Sequence, residues 1–153
     1  MTKNEKLLYN DIVTIKYIMQ VRDNIGVLTK ALSDRAKSHD KSKMKSPERE
    51  AYSLITDRLR TTKDGGVGYK EFLDSLQPAI AHHKSQNRHH PEAHLNGING
   101  MDLVDIMEML ADWIAAVKRD NGDIHKSIKT SALSFHMNPQ LVAILTNTVN
   151  RYF

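Results

Sequence analysis

The chain contains no cysteine. That absence excludes disulfides and every thiolate metal site, so any metal would have to be held by imidazole and carboxylate. Aromatic residues are scarce, with a single Trp, and no basic helix or aromatic platform of the kind nucleic-acid binders use stands out. No apolar run approaches the roughly 18–20 residues of a membrane span. The N-terminal MTKNEKLLYNDIV has lysines but neither an apolar h-region nor a small-residue cleavage site, so no signal peptide is expected. Alternating strand patterns are nearly absent, and there is neither an internal repeat nor a low-complexity tract.

What is present is a chain of 153 residues, most simply one domain over 1–153 and long enough to bury a real core. The mean hydropathy of −0.50 fits a water-facing globular protein, and the expected compartment is the cytoplasm. The net charge of +4 mildly favours anionic partners. Its densest basic stretch runs from Arg35 to Arg49 and crowds around His39-Asp40.

Helix signals dominate. Leu7, Leu8, Ile12, Ile15, Ile18, Met19, Ile25, Leu28 and Leu32 predict one long helix over about 4–38, or two with Gly26 as the weak point. Ser46-Pro47-Glu48 reads as a helix start, with Ser as N-cap and acids near the positive dipole end. Gly65, Gly66 and Gly68 mark a loop, and a helix over about 69–83 follows with Pro78 as a kink. Residues 84–100 read as a long polar loop. The segment 101–118 is the clearest helix. Asp123 and Asn138-Pro139 are caps for two more, to about Phe135 and Asn150. The expected class is all-α, with about six helices.

The chemistry is concentrated in histidines and acids. His82, His83, His89, His90 and His94 fall in one short window, and His39-Asp40 stands upstream. On the 101–118 helix, Asp105, Glu108 and Asp112 fall within about 60° of one another. No Lys or Arg appears on that helix before Lys118. Such a one-sign stripe is mildly self-repelling. A metal ion, a protonated histidine, or a Lys or Arg from another helix would resolve it.

His39-Asp40-Lys41-Ser42-Lys43 follows an apolar helix, and Leu110-Ala111-Asp112-Trp113-Ile114-Ala115-Ala116 places an Asp before apolar and small residues. The two segments resemble the His-Asp motif and the closing aspartate motif of the HD superfamily of metal phosphohydrolases. His82-His83 and Asn87-Arg88-His89-His90-Pro91-Glu92 resemble the added histidines of its multi-metal members. A closer resemblance is to an uncharacterised HD-like family of bacteria and phages. It rests on Arg35-Ala36, HDKSK at 39–43, NRHHPE at 87–92, NGINGMDLVDIMEMLADWIAA at 96–116 and GDIHKSI at 122–128.

The resemblance implies a compact HD-like helical bundle and a divalent ion (Mn, Co, Mg, Zn or Fe). It implies His39, Asp40, Asp112 and one of His82 and His83, here His83, as ligands. Asp105 competes with Asp112, or could instead hold a histidine in its correct tautomer. Lys43 and Arg88 flank the ligand motifs and are candidates for neutralising phosphate. Glu48 could orient the attacking water, and one of His89, His90 and His94, here His90, could be a ligand or general acid. Tyr17 stands where such relatives often carry a first-helix histidine, and phenol is a poor neutral ligand. The expected activity is hydrolysis of a nucleotide or related phosphate ester. A binding module that sequesters a nucleotide or modulates a host protein is the alternative, and a non-hydrolytic iron oxygenase stays open. No membrane is expected as a partner, nucleic acid ranks low, and oligomeric state is open.

Overall fold

The computed structural model describes residues 1–61 and 69–153. The expected glycine loop at 65–68 lies outside them. Among the described residues the protein is all-helical, with no strand. Contacts divide the chain into two units, Met1–Lys37 and Ser38–Phe153.

The first unit is the body of α1 (Lys3–Ser38), one uninterrupted helix. Thr2 and Glu5 form a reciprocal capping pair at its start. Glu5 N donates to Thr2 Oγ1 at 3.2 Å and Thr2 N donates to Glu5 Oε2 at 2.6 Å. Gly26 does not break the helix, because the loss of about 1 kcal/mol relative to Ala is small beside the propensity of the residues around it. No residue of α1 is buried. No helix among the described residues is long and apolar enough to cross a membrane.

The second unit begins with a sharp change of backbone. Asp40 adopts the left-handed conformation (φ 54°), which Asp tolerates better than most residues. A 3-10 turn at Lys41–Met44 follows, then α2 (Glu48–Thr61). The helix start expected at Ser46-Pro47-Glu48 is found at Glu48. The acid there does not serve the dipole in solvent, because Glu48 is completely buried. The single kinked helix expected over 69–83 is two helices, α3 (Tyr69–Ser75) and α4 (Gln77–Gln86). Pro78 lies in the first turn of α4, where its missing N–H costs nothing. The long loop is shorter and more ordered than expected, since Pro91–Ala93 and Gly97–Gly100 form 3-10 turns.

α5 (Leu103–Arg119) starts at a capping box between Asp102 and Asp105. α6 (Ile124–Ser134) starts at Asp123, and α7 (Pro139–Tyr152) at Asn138, each with the expected side-chain cap. α5, α6 and α7 pack in sequence. Met109, Leu110, Ile114, Ile128, Leu145 and Val149 form their core, joined by Ile98 and Met137, with Trp113 packed at its margin. A smaller cluster of Ala51, Leu76 and Ala79 joins α2 to α4. Burial of each large aliphatic side chain contributes about 1.5–3 kcal/mol. The core face of α5 therefore fixes its rotation and commits the acid stripe to the other side. There His39, α4 and the 87–94 segment bring the histidines, and α2 brings Glu48.

Candidate metal centre

Asp40 lies at the middle of the site, with its two oxygens facing different partners. Oδ2 accepts from Lys43 Nζ at 2.6 Å and lies 3.5 Å from His39 Nε2. Oδ1 lies 3.4 Å from His83 Nε2 and 3.5 Å from His89 Nε2. Asp112 joins from α5, with Oδ1 3.6 Å from His39 Nε2. His90 closes one side, its Nε2 3.0 Å from His83 Nε2. Among the described residues, three sets of side chains come close enough to share an ion: His39, Asp40 and Asp112; Asp40, His83, His89 and His90; and His39, His89 and Glu108. All lie within the second unit.

The residues fit a cation on an observation of their own. Asp40 Oδ1 and His89 Nε2 are both buried, and neither has a hydrogen-bond partner. A buried polar atom left unpaired costs about 1–3 kcal/mol, and more for a charged one. Here two such atoms face one another across a gap wider than a hydrogen bond. A divalent ion binds nitrogen and oxygen donors of this kind without thiolate.

Charge within the centre is strongly coupled. The carboxylate of Asp112, against the opposing effect of burial and with Glu108 and Asp40 adding to it, pushes the His39 imidazole up to about 9. Burial, with the neighbouring His89 and His83, pushes His90 down to about 4. Burial also lowers His89, and the His39 charge adds to that. Burial works to raise Asp40, yet Lys43 holds its carboxyl below the usual range. Asp112 is similarly held low by His39 against burial.

Two glutamates stand behind the imidazoles. Glu48 Oε2 lies 2.8 Å from His83 Nδ1 and accepts from Ser42 Oγ at 2.7 Å, while its Oε1 lies 2.8 Å from His82 Nδ1. Glu108 Oε1 lies 2.9 Å from His39 Nδ1 and 3.2 Å from His89 Nδ1. The sequence alone places neither glutamate behind the histidines and offers His89 only as one of three loop histidines, with His90 and His94, of which one could be a ligand or general acid. The one signal was the all-acid stripe that includes Glu108.

The remaining candidates fall elsewhere. Arg88 grips Asp105 with both arms of its fork, Nε to Oδ1 at 3.1 Å and Nη2 to Oδ2 at 2.7 Å. Asp105, fully buried, belongs to none of the three sets. His94 Nε2 meets the Arg88 carbonyl oxygen at 2.8 Å. Lys43 sits 4.8 Å from the centroid of the Tyr52 ring, and that ring lies edge-on to His83. His82 is exposed and reaches the site through Glu48. Tyr17 is exposed on the first unit.

Fold and site together define an all-helical protein with a histidine–carboxylate cluster suited to a divalent cation. A family described as "Family of unknown function (DUF5662)" matches residues 8–151, and the chain belongs to that family. Neither a curated protein nor a solved structure matches the chain.

Proposed function

We propose that the protein is an HD-type, metal-dependent phosphohydrolase acting on a nucleotide or related phosphate ester. The observation that carries this reading is the facing pair of buried, unpartnered atoms, Asp40 Oδ1 and His89 Nε2. His39, Asp40 and Asp112 would hold one ion, and Asp40, His83, His89 and His90 offer donors for another. A divalent ion in such a site supplies Lewis acidity toward a phosphoryl oxygen and lowers the pKa of a bound water.

The chain's own residues would act around that chemistry. Lys43 brings a positive charge to the Asp40 side of the cluster and would neutralise a phosphate oxygen as a point charge. His90, neutral at pH 7, offers a lone pair for a ligand or a proton and no imidazolium to donate. Arg88 would reach phosphate only by sharing a guanidinium that Asp105 already holds. Tyr52, pushed up to about 12 by burial and by Glu48, Asp40 and Asp112, stays a neutral phenol and adds no anion beside the substrate.

The test is phosphate release from a panel of nucleotides with Mn²⁺, Co²⁺, Mg²⁺ or Zn²⁺, using His39→Ala and Asp40→Ala as controls. Turnover in the wild type and its loss in both variants is the expected result. Equal background in all three would end the enzyme reading. A second reading, a catalytically impaired module that binds a nucleotide, draws support from Lys43 and Arg88, both already paired with carboxylates. Nucleotide binding without turnover would favour it.

A further inference from the structure

We propose that Glu48 and Glu108 are positioning residues of this centre: they accept hydrogen bonds from the Nδ1–H groups of His83, His39 and His89 and so, in the neutral rings, aim three bare Nε2 atoms at Asp40 and Asp112. The inference rests on the metal-centre reading above and adds the device that would make the histidines competent ligands.

The argument at His83 is a proton count. The Asn87 amide nitrogen has two protons. It donates to Ser42 Oγ at 2.8 Å and to the His83 carbonyl oxygen at 2.7 Å. That carbonyl, an acceptor only, fixes which end of the amide is nitrogen. The single Ser42 hydroxyl proton goes to Glu48 Oε2 at 2.7 Å. Neither neighbour then has a proton left for His83 Nδ1, although they lie 3.0 and 3.3 Å from it. The third neighbour is the Glu48 carboxylate at 2.8 Å, an acceptor when ionised. Nδ1 must therefore be the donor. In a neutral ring that leaves Nε2 bare, 3.4 Å from Asp40 Oδ1.

Glu108 repeats the arrangement from α5. One oxygen serves the Nδ1 edges of both His39 and His89, whose ring centroids are 4.5 Å apart. Their Nε2 atoms then face Asp40 and Asp112. The three rings come from three chain segments, yet all turn Nδ1 outward onto a buried glutamate and Nε2 inward. A metal-binding histidine needs this polarity, because the outer partner sets the tautomer and raises ligand basicity.

The tautomers can be read directly by long-range ¹H–¹⁵N correlation on the ¹⁵N-labelled full chain in EDTA at pH 10, above the ordinary imidazole range. His39, His83 and His89 should carry hydrogen on Nδ1, and Zn²⁺ added near neutral pH should move their Nε2 resonances. Hydrogen on Nε2, or Zn²⁺ shifts at Nδ1, overturns the proposal. Zn²⁺ affinity gives the second readout. Glu108→Leu should weaken binding about 10–100-fold, while Glu108→Gln stays close to wild type, because one amide oxygen can still accept from both rings. Glu48→Gln should weaken binding, because a single oxygen cannot serve donors that now use two. Equal loss in both Glu108 variants, or none in either, also overturns it. Wild type with these tautomers but no Zn²⁺ binding would instead overturn the metal-centre reading and leave the positioning assignment standing.

Discussion

Arg88 Nη2 lies 2.7 Å from Asp105 Oδ2, and Asp105 has no solvent exposure while Arg88 is about half exposed. Asp105 also closes the capping box of α5 by accepting from Asp102 N at 3.1 Å. The pair therefore ties the segment that carries His89 and His90 to the first turn of the helix that carries Glu108 and Asp112. Arg88→Ala should lower unfolding free energy by about 2 kcal/mol, the scale of a charged hydrogen bond lost to a buried acceptor. Urea denaturation measures it. Unchanged stability combined with weakened phosphate binding would return Arg88 to the substrate role.

Asp105 and Asp112 lie two turns apart on one face, but their surroundings divide their roles. Asp112→Asn should reduce bound metal, measured by elemental analysis of the purified protein, with little change in melting temperature. Asp105→Asn should do the reverse, lowering the melting temperature and keeping the metal content. Metal loss in the Asp105 variant alone would reverse the assignment.

The metal-free protein should have a stability maximum near pH 6.5. His39, raised to about 9, contributes stability that is complete below its ordinary value near 6.5 and is lost as pH rises through 9. His90, lowered to about 4, works against the fold as pH falls from about 6.5 toward 4, because the unfolded chain takes up that proton first. The alkaline loss should be about 1–2 kcal/mol after allowance for the partial exposure of His39. Melting temperatures in EDTA across pH 4–10 give the profile. His39→Gln should flatten the alkaline limb and His90→Gln the acid one, and a wild-type profile flat from 6.5 to 9 would contradict the His39 assignment.

Gly26 lies in the middle of α1, and a Cβ built there meets nothing within 4 Å. Gly26→Ala should therefore stabilise the helix by about 0.5–1 kcal/mol. Helicity by circular dichroism on heating reports the gain, and a loss would mean that the position needs the missing side chain.

Much of the helical frame was legible because its signals are local. Asp123 and Asn138-Pro139 cap their helices within a few residues, so the sequence around each suffices. Pro78 shows the limit. Proline is compatible with a kink or with a first turn, and the choice was made by the separation of α3 from α4 at Leu76. The acid stripe on α5 signalled a missing positive partner, and partners are present: Arg88 at Asp105, and His39 at Glu108 and Asp112. Which acid met which partner was not legible. Glu48 is the clearest case, because its helix-start setting explains an acid locally while its partners His82 and His83 lie 34 and 35 residues further on. The burial of His89 was hidden for a similar reason. A loop histidine in a polar sequence gives no sign of burial, and only packing against His39 and His90 removes it from water.

The left-handed backbone at Asp40 has a practical outcome for mutagenesis. One residue supplies both the bend in the chain and the carboxylate between two groups of imidazoles. Alanine deletes the charge but also strains the bend by about 1–2 kcal/mol, and glycine keeps the bend while adding freedom to the unfolded chain. Asparagine tolerates the same backbone and has nearly the same shape, so Asp40→Asn is the substitution in which a lost function can be charged to the missing negative charge and not to a displaced chain.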